Sequence, residues 1–141
     1  MKQDKKRGEK NKIGAMGEAV AALYTKRHGL ALVETNYLKK WGEIDLVTSE
    51  ITKNGPIMHF IEVKTVSYGT RADLNKAVSY GTWRPEENVH PQKIARLNRA
   101  IESWIVEHNY EGAWQIDVCA VRIVPHEKYA TVKYIPNIIL D

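Results

Sequence analysis

Two short apolar runs, Gly42-Glu43-Ile44-Asp45-Leu46-Val47 and Phe60-Ile61-Glu62-Val63-Lys64, stand on either side of Lys53-Asn54-Gly55-Pro56. Apolar residues at this density and spacing favour strands, and the Asn-Gly-Pro segment supplies turn chemistry between them. The two strands are therefore expected as sequential, antiparallel neighbours over Glu43–Thr48 and Ile57–Thr65. Strand side chains alternate faces, so Glu62 and Lys64 leave one face together while Ile61 and Val63 leave the other. If the strands pair, Asp45 reaches the same patch. A fold built on this hairpin must place two carboxylates and one ammonium in a small volume.

An exposed Glu-x-Lys pair on the wet face of a strand is the ordinary reading, worth roughly 0–1 kcal/mol. Here the face of Glu62 and Lys64 also carries Met58 and Phe60, so it is not simply polar. Asp45 lies between Ile44 and Leu46 in a run with few surface features. Carboxylates in such settings suit a hard cation: Mg²⁺, or Mn²⁺ in its place, takes oxygen ligands and keeps positions open for water and a phosphate oxygen. Asp45 and Glu62 would anchor it. Lys64 would orient or deprotonate an attacking water, or stabilise charge in the transition state. The chemistry so assembled is metal-assisted phosphodiester hydrolysis.

Composition narrows the classes. The 141 residues are 43% hydrophobic and 27% charged, which fits one globular domain with a real core. No apolar run nears the roughly 18 residues of a membrane span, so no membrane partner is expected. The charged N-terminus lacks an apolar segment behind it, so no signal peptide is expected. The single cysteine, Cys119, sits in an apolar strand with Val118 and Val121. It reads as a small buried hydrophobe, and the absence of a second cysteine suits a reducing cytoplasm. The formal charge of +4 belongs wholly to residues 1–12, where Lys2, Lys5, Lys6, Arg7, Lys10 and Lys12 outnumber Asp4 and Glu9. These residues read as a flexible basic arm, able to raise salt-sensitive affinity for a polyanion or equally to be a solvated terminus. Residues 13–141 read as one domain.

Along that domain, Ile13, Met16, Val20, Leu23 and Tyr24 follow helical spacing to about His28, with Gly29 as the cap. Glu18 falls away from this stripe among Gly14, Ala21, Ala22 and Thr25, all small. A second, small-residue face would half-enclose Glu18 and make it a third carboxylate of the site; the alternative is a helix-surface glutamate. A strand follows near Leu30–Thr35. A second helix is expected over Pro91–His108, burying Ile94, Leu97, Ile101, Trp104 and Ile105. Lys93, Arg96 and Arg99 recur along another side of it, as a stripe for phosphates or a solvated face. Strands Ala113–Val124 and Tyr129–Ile135 close the chain through Pro125-His126-Glu127-Lys128. Between lies Val66–His90, read as a mobile loop with a possible helical turn near Ala72–Val78. It contains Val-Ser-Tyr-Gly-Thr twice, at residues 66–70 and 78–82. Tyr68, Tyr80, Trp83 and Arg84 within it could stack on bases or simply pack.

Gly14-Ala15-Met16-Gly17-Glu18, Gly42-Glu43-Ile44-Asp45-Leu46-Val47 and Phe60-Ile61-Glu62-Val63-Lys64-Thr65, in this order, resemble the three successive motifs of the YraN-like proteins. That family is grouped with the restriction-endonuclease-like nuclease superfamily, near the archaeal Holliday-junction resolvases. His90-Pro91-Gln92-Lys93 and Gln115-Ile116-Asp117-Val118 also fit its pattern, so the likeness extends from about Lys12 to Ile123. The resemblance implies a three-layer α/β core, a mixed central β-sheet flanked by helices. It implies Asp45 and Glu62 as metal ligands, Lys64 as the catalytic lysine, Glu18 completing the acidic cluster, and the carbonyl of Val63 as a further ligand. Ile44 stands where the superfamily motif has proline, and Thr65-Val66-Ser67 stand where many relatives carry a basic residue. Glu43 is shared with the family but acquires no role.

The resulting expectation is a Mg²⁺-dependent endonuclease acting on DNA, on branched or recombination and repair intermediates, with Lys93, Arg96 and Arg99 binding the nucleic acid. A homodimer would suit a two-fold substrate. The competing expectation is a non-catalytic nucleic-acid-binding module on a nuclease fold.

Overall fold

The structure, a computed structural model, describes residues 2–81 and 91–138, with side chains from Gly8 onward. Its elements are helix α1 (Lys2–Arg27), strands β1 (Ala31–Lys39), β2 (Gly42–Thr52) and β3 (Gly55–Ser67), helices α2 (Arg71–Tyr80) and α3 (Pro91–Glu107), and strands β4 (Ala113–Val124) and β5 (Tyr129–Ile135). The five strands form one mixed sheet in the order β1-β2-β3-β4-β5. β1, β2 and β3 are an antiparallel meander, β3 and β4 run parallel, and β5 returns antiparallel. A parallel neighbour requires a crossover, and the stretch carrying α2 and α3 provides it. Helix α1 covers one face of the sheet and α3 the other, giving the expected three-layer α/β architecture.

The two cores follow from strand alternation. Met58 and Phe60 pack toward α3 with Ile44, Val47, Leu97, Ile101 and Trp104, and Phe60 meets Trp104 edge-on at 5.4 Å. Ile61 points to the other side, with Ala21, Leu30, Leu46, Cys119 and Val121 under α1. Cys119 is fully buried, and burial pushes its thiol up to about 12, as befits a packing residue. Among the described residues, no helix is long and apolar enough to cross a membrane.

Three expectations change in detail. The first helix begins at Lys2, so the basic segment continues α1 instead of forming a separate arm; it is rich in lysine and holds no proline. The face of α1 on the sheet is the small one. Gly17, Ala21 and Thr25 are buried, whereas Met16 and Leu23 of the large apolar stripe are 44% and 49% exposed. A Cβ on Gly17 would stand 1.8 Å from the Thr65 hydroxyl, so only glycine lets the helix lie this close. The cap falls at Gly29 as expected, at φ 84°, with Leu30 N–H donating to the Thr25 carbonyl at 3.0 Å and Gly29 N–H to that of Lys26 at 3.3 Å.

Val66–His90 is the third. β3 runs on to Ser67 and α2 fills Arg71–Tyr80, leaving residues 82–90, with Trp83 and Arg84, outside the described set. The repeated pentad now has a reason. Its first copy ends in Thr70, whose hydroxyl accepts from Asp73 N–H at 3.1 Å and caps the start of α2. The second carries Gly81, left-handed at φ 61°, which ends the same helix.

Candidate functional site

The β2–β3 ladder runs from Thr52↔Gly55 to Leu46↔Ile61. β3 stays paired with β4 through Glu62↔Val118, Val63↔Cys119 and Lys64↔Ala120, out to Ser67. The sheet thus forks just past Leu46, and the Val63 N–H on the β2 side needs an acceptor. Asp45 supplies it: Val63 N–H donates to Asp45 Oδ2 at 2.8 Å. Opposite Asp45, between the pairs Thr35↔Leu46 and Tyr37↔Ile44, Asn36 takes a left-handed φ of 51° and its side chain bonds Glu18.

Four carboxylates collect around this fork. Asp45 and Glu62 are buried at 8% and 5% exposure, Glu18 is half-buried on α1, and Glu43 is exposed at the start of β2. Burial, then the charge of Glu62, push the Asp45 carboxyl up to about 8; the Val63 N–H pulls the other way, and Glu18 and Glu43 add repulsion. Burial also raises Glu18, against the Asn36 hydrogen bond, with Glu43 and Glu62 adding to the rise. Close approach of the helices creates the crowding. Gly17 seats Glu18, and Gly42 lets α3 touch β2, since a Cβ there would lie 1.8 Å from the Arg96 carbonyl oxygen.

That second contact delivers the cations. Lys93, in the first turn of α3, places Nζ 2.5 Å from Glu62 Oε1. Burial opposes its charge, but Glu62 first, then Asp45 and Glu43, hold its pKa above the ordinary lysine value. Lys64 is half-buried beside this pair; burial and the neighbouring charge of Lys93 lower its pKa, against Glu62. Two clefts of about 410 and 420 Å³ share Glu43, Glu62 and Lys93. Gln92 and Arg96 line the first; Lys10, Glu18, Asp45 and Val63 line the second.

The expected residues are thus partly assembled. Glu18, Asp45, Glu62 and Val63 surround one cleft, with Lys93 at its wall and Arg96 just beyond. Lys64 lies outside the lining of both clefts. Arg99 faces a separate depression with Trp41 and Glu102. Among the described residues, no three His, Cys, Asp or Glu side chains stand as a ready metal-holding group. The donor set nevertheless fits a hard cation, being all oxygen, and the Lys93 ammonium already sits on Glu62 as a stand-in for one. Sequence reasoning missed Glu43, Asn36 and Lys10. Ile44 and Leu46 pack into opposite cores, so simple alternation fails around Asp45 and could not place Glu43. Asn36 announced itself by nothing but a residue type tolerant of left-handed backbone.

Fold and site together define an α/β protein with a mixed five-stranded sheet, forked at its centre around a buried acidic cluster. The chain belongs to the uncharacterised protein family UPF0102, whose model matches residues 17–121, from the buried glycine beside Glu18 to Val121 in β4. This is the YraN family of the motif resemblance. Among similar proteins are UPF0102 proteins of Beutenbergia cavernae, 37% identical over 79% of this chain and 83% of the relative, and of Alkaliphilus metalliredigens, 34% identical over 89% and 95%. Another, from Shewanella woodyi, is 35% identical over 77% of this chain and 80% of its own.

Proposed function

We propose that this protein is a metal-dependent endonuclease that hydrolyses phosphodiester bonds of DNA. The observation that carries the reading is Asp45 and Glu62, buried side by side at the strand fork with Lys64 two residues further along β3. Burying like charges together opposes folding, and a cation between them is the usual remedy. Asp45 and Glu62 would hold Mg²⁺ or Mn²⁺, with the Val63 carbonyl and Glu18 as further oxygen donors. When bound, such a cation neutralises charge on the phosphoryl group and acidifies water. Lys64, its pKa already lowered, is suited to place or accept the proton of the attacking water. Arg96 and Lys10 flank the acidic centre and would hold phosphates on either side. Action on branched repair or recombination intermediates, in the cytoplasm and as a homodimer, belongs to this reading.

One observation favours a second reading, a non-catalytic nucleic-acid-binding module: no three donors stand together as a metal-holding group among the described residues. Cleavage of labelled single-stranded, duplex, flap and four-way-junction DNA, in Mn²⁺ or EDTA, separates the two. Metal-dependent cutting is expected from the wild type and none from Glu62→Ala or Asp45→Asn. Wild-type rates in both purified variants would sink the nuclease, and binding without cutting of any substrate would favour the module.

A further inference from the structure

We propose that Lys93 is the built-in counterion of the acidic cluster: its ammonium occupies Glu62 in the metal-free protein, competes with the divalent cation for that carboxylate, and is released to the substrate phosphate when the cation enters. The inference rests on the metal-binding reading above. Its basis is positional. Nζ of Lys93 lies 2.5 Å from Glu62 Oε1, a carboxylate with only 7% of its side chain exposed. An oxygen so engaged is not free to coordinate a metal until the ammonium leaves it. Asp45 and Glu43 act on the same ammonium, so it sits in the field of three carboxylates.

The arrangement is built to move. The Lys93 side chain is 52% exposed, and it rises from the first turn of α3 on a four-carbon stem. It can leave Glu62 by rotation about its side chain while the helix stays fixed by Leu97, Ala100 and Ile101. Lysine suits the task because its charge is a compact point, close in kind to a metal ion, whereas arginine forms a planar fork. Without Lys93, Glu62 would be a buried carboxylate among like charges with Lys64 left to offset it. With it, the empty site is stable and metal entry is a cation exchange. Lys93 in this sense holds the place of the metal, a role distinct from that of Lys64.

Calorimetric titration of Mn²⁺ into the full chain tests this, with wild type beside Lys93→Met and Lys93→Arg, together with thermal melts in EDTA and in saturating Mn²⁺. Lys93→Met is expected to bind Mn²⁺ about tenfold more tightly than wild type, within the usual range for coupled sites. In EDTA it should melt below wild type, and saturating Mn²⁺ should erase the deficit. Lys93→Arg retains the charge and should bind Mn²⁺ less tightly than Lys93→Met, with a smaller melting deficit in EDTA. Wild-type binding of Mn²⁺ with unchanged or weaker binding by Lys93→Met overturns the counterion role and leaves the metal site standing. No Mn²⁺ binding by either protein removes the metal reading and the counterion with it.

Discussion

At the scale of the residue, the site depends on two glycine–glutamate pairs. Gly17-Glu18 and Gly42-Glu43 each combine a residue with no side chain and a residue with a charged one. The glycine lets helix and strand approach closely, and the glutamate beside it lines the cleft. The two contacts differ in tolerance. Opposite Gly17 stands the Thr65 side chain, whereas opposite Gly42 stands the Arg96 backbone carbonyl, which cannot rotate away. Gly42→Ala should therefore push the first turns of α3 off β2 and cost about 1–3 kcal/mol, as overpacking does. Denaturant unfolding measures this, and a variant as stable as wild type would show that α3 yields without cost. In sequence, Asp45, Glu62 and Lys64 stand out because carboxylates inside apolar runs are conspicuous. Lys93 does not, because its meaning depends on how near α3 comes to β3, and that distance is set by a glycine on a third element.

At the scale of the element, period and turn chemistry locate most strands and both long helices, and they mislead where a helix packs through small residues. Met16 and Leu23 look like core positions by hydrophobicity, but they are exposed; Gly17, Ala21 and Thr25 face the sheet, with Ile13 and Val20 packed at the edge of that core. β4 and β5 hold a feature that spacing did not reveal. Asp117, wholly buried, accepts from His59 Nδ1 at 2.6 Å, from Gln115 Nε2 and Asn137 N–H at 2.8 Å each, and from the Tyr134 hydroxyl. The other ring nitrogen of His59 lies 2.8 Å from Glu50 Oε2. Burial opposes the His59 charge, but Asp117 and Glu50 raise its pKa above the ordinary 6.5. Burial likewise opposes the Asp117 charge, and its hydrogen bonds, that of His59 foremost, bring its pKa below the ordinary 3.8. The histidine's contribution is then full below its unfolded pKa and fades as pH rises through the raised folded value. The aspartate's is full above its unfolded pKa and fades as pH falls through the lowered one. His59→Gln should melt well below wild type at pH 6, with the gap narrowing by pH 9. A gap of constant size across that range would mean that the histidine is neutral in the fold.

At the scale of the whole molecule, the two helices that sandwich the sheet both pass the fork, and both bring positive charge there. Lys10 lines the acidic cleft from α1, and Lys93 and Arg96 line its other side from α3. The excess charge of the chain lies in residues 1–12, and residues 2–12 belong to the same helix that carries Glu18. A nucleic-acid strand crossing the acidic centre would thus be gripped on both sides, while the centre itself repels phosphate until a cation enters. Each phosphate neutralised by a basic group adds about 0.9 to the slope of log affinity against log salt on duplex DNA. Removal of residues 1–12 should weaken duplex binding and make that slope shallower by about one or more, measured in Mn²⁺ by fluorescence anisotropy in a Lys64→Met background, which keeps the metal ligands and prevents cutting. An unchanged slope would leave the grip to α3 alone. A loss confined to Mn²⁺, with the slope in EDTA unaffected, would instead tie the helix to the metal centre and not to the phosphates.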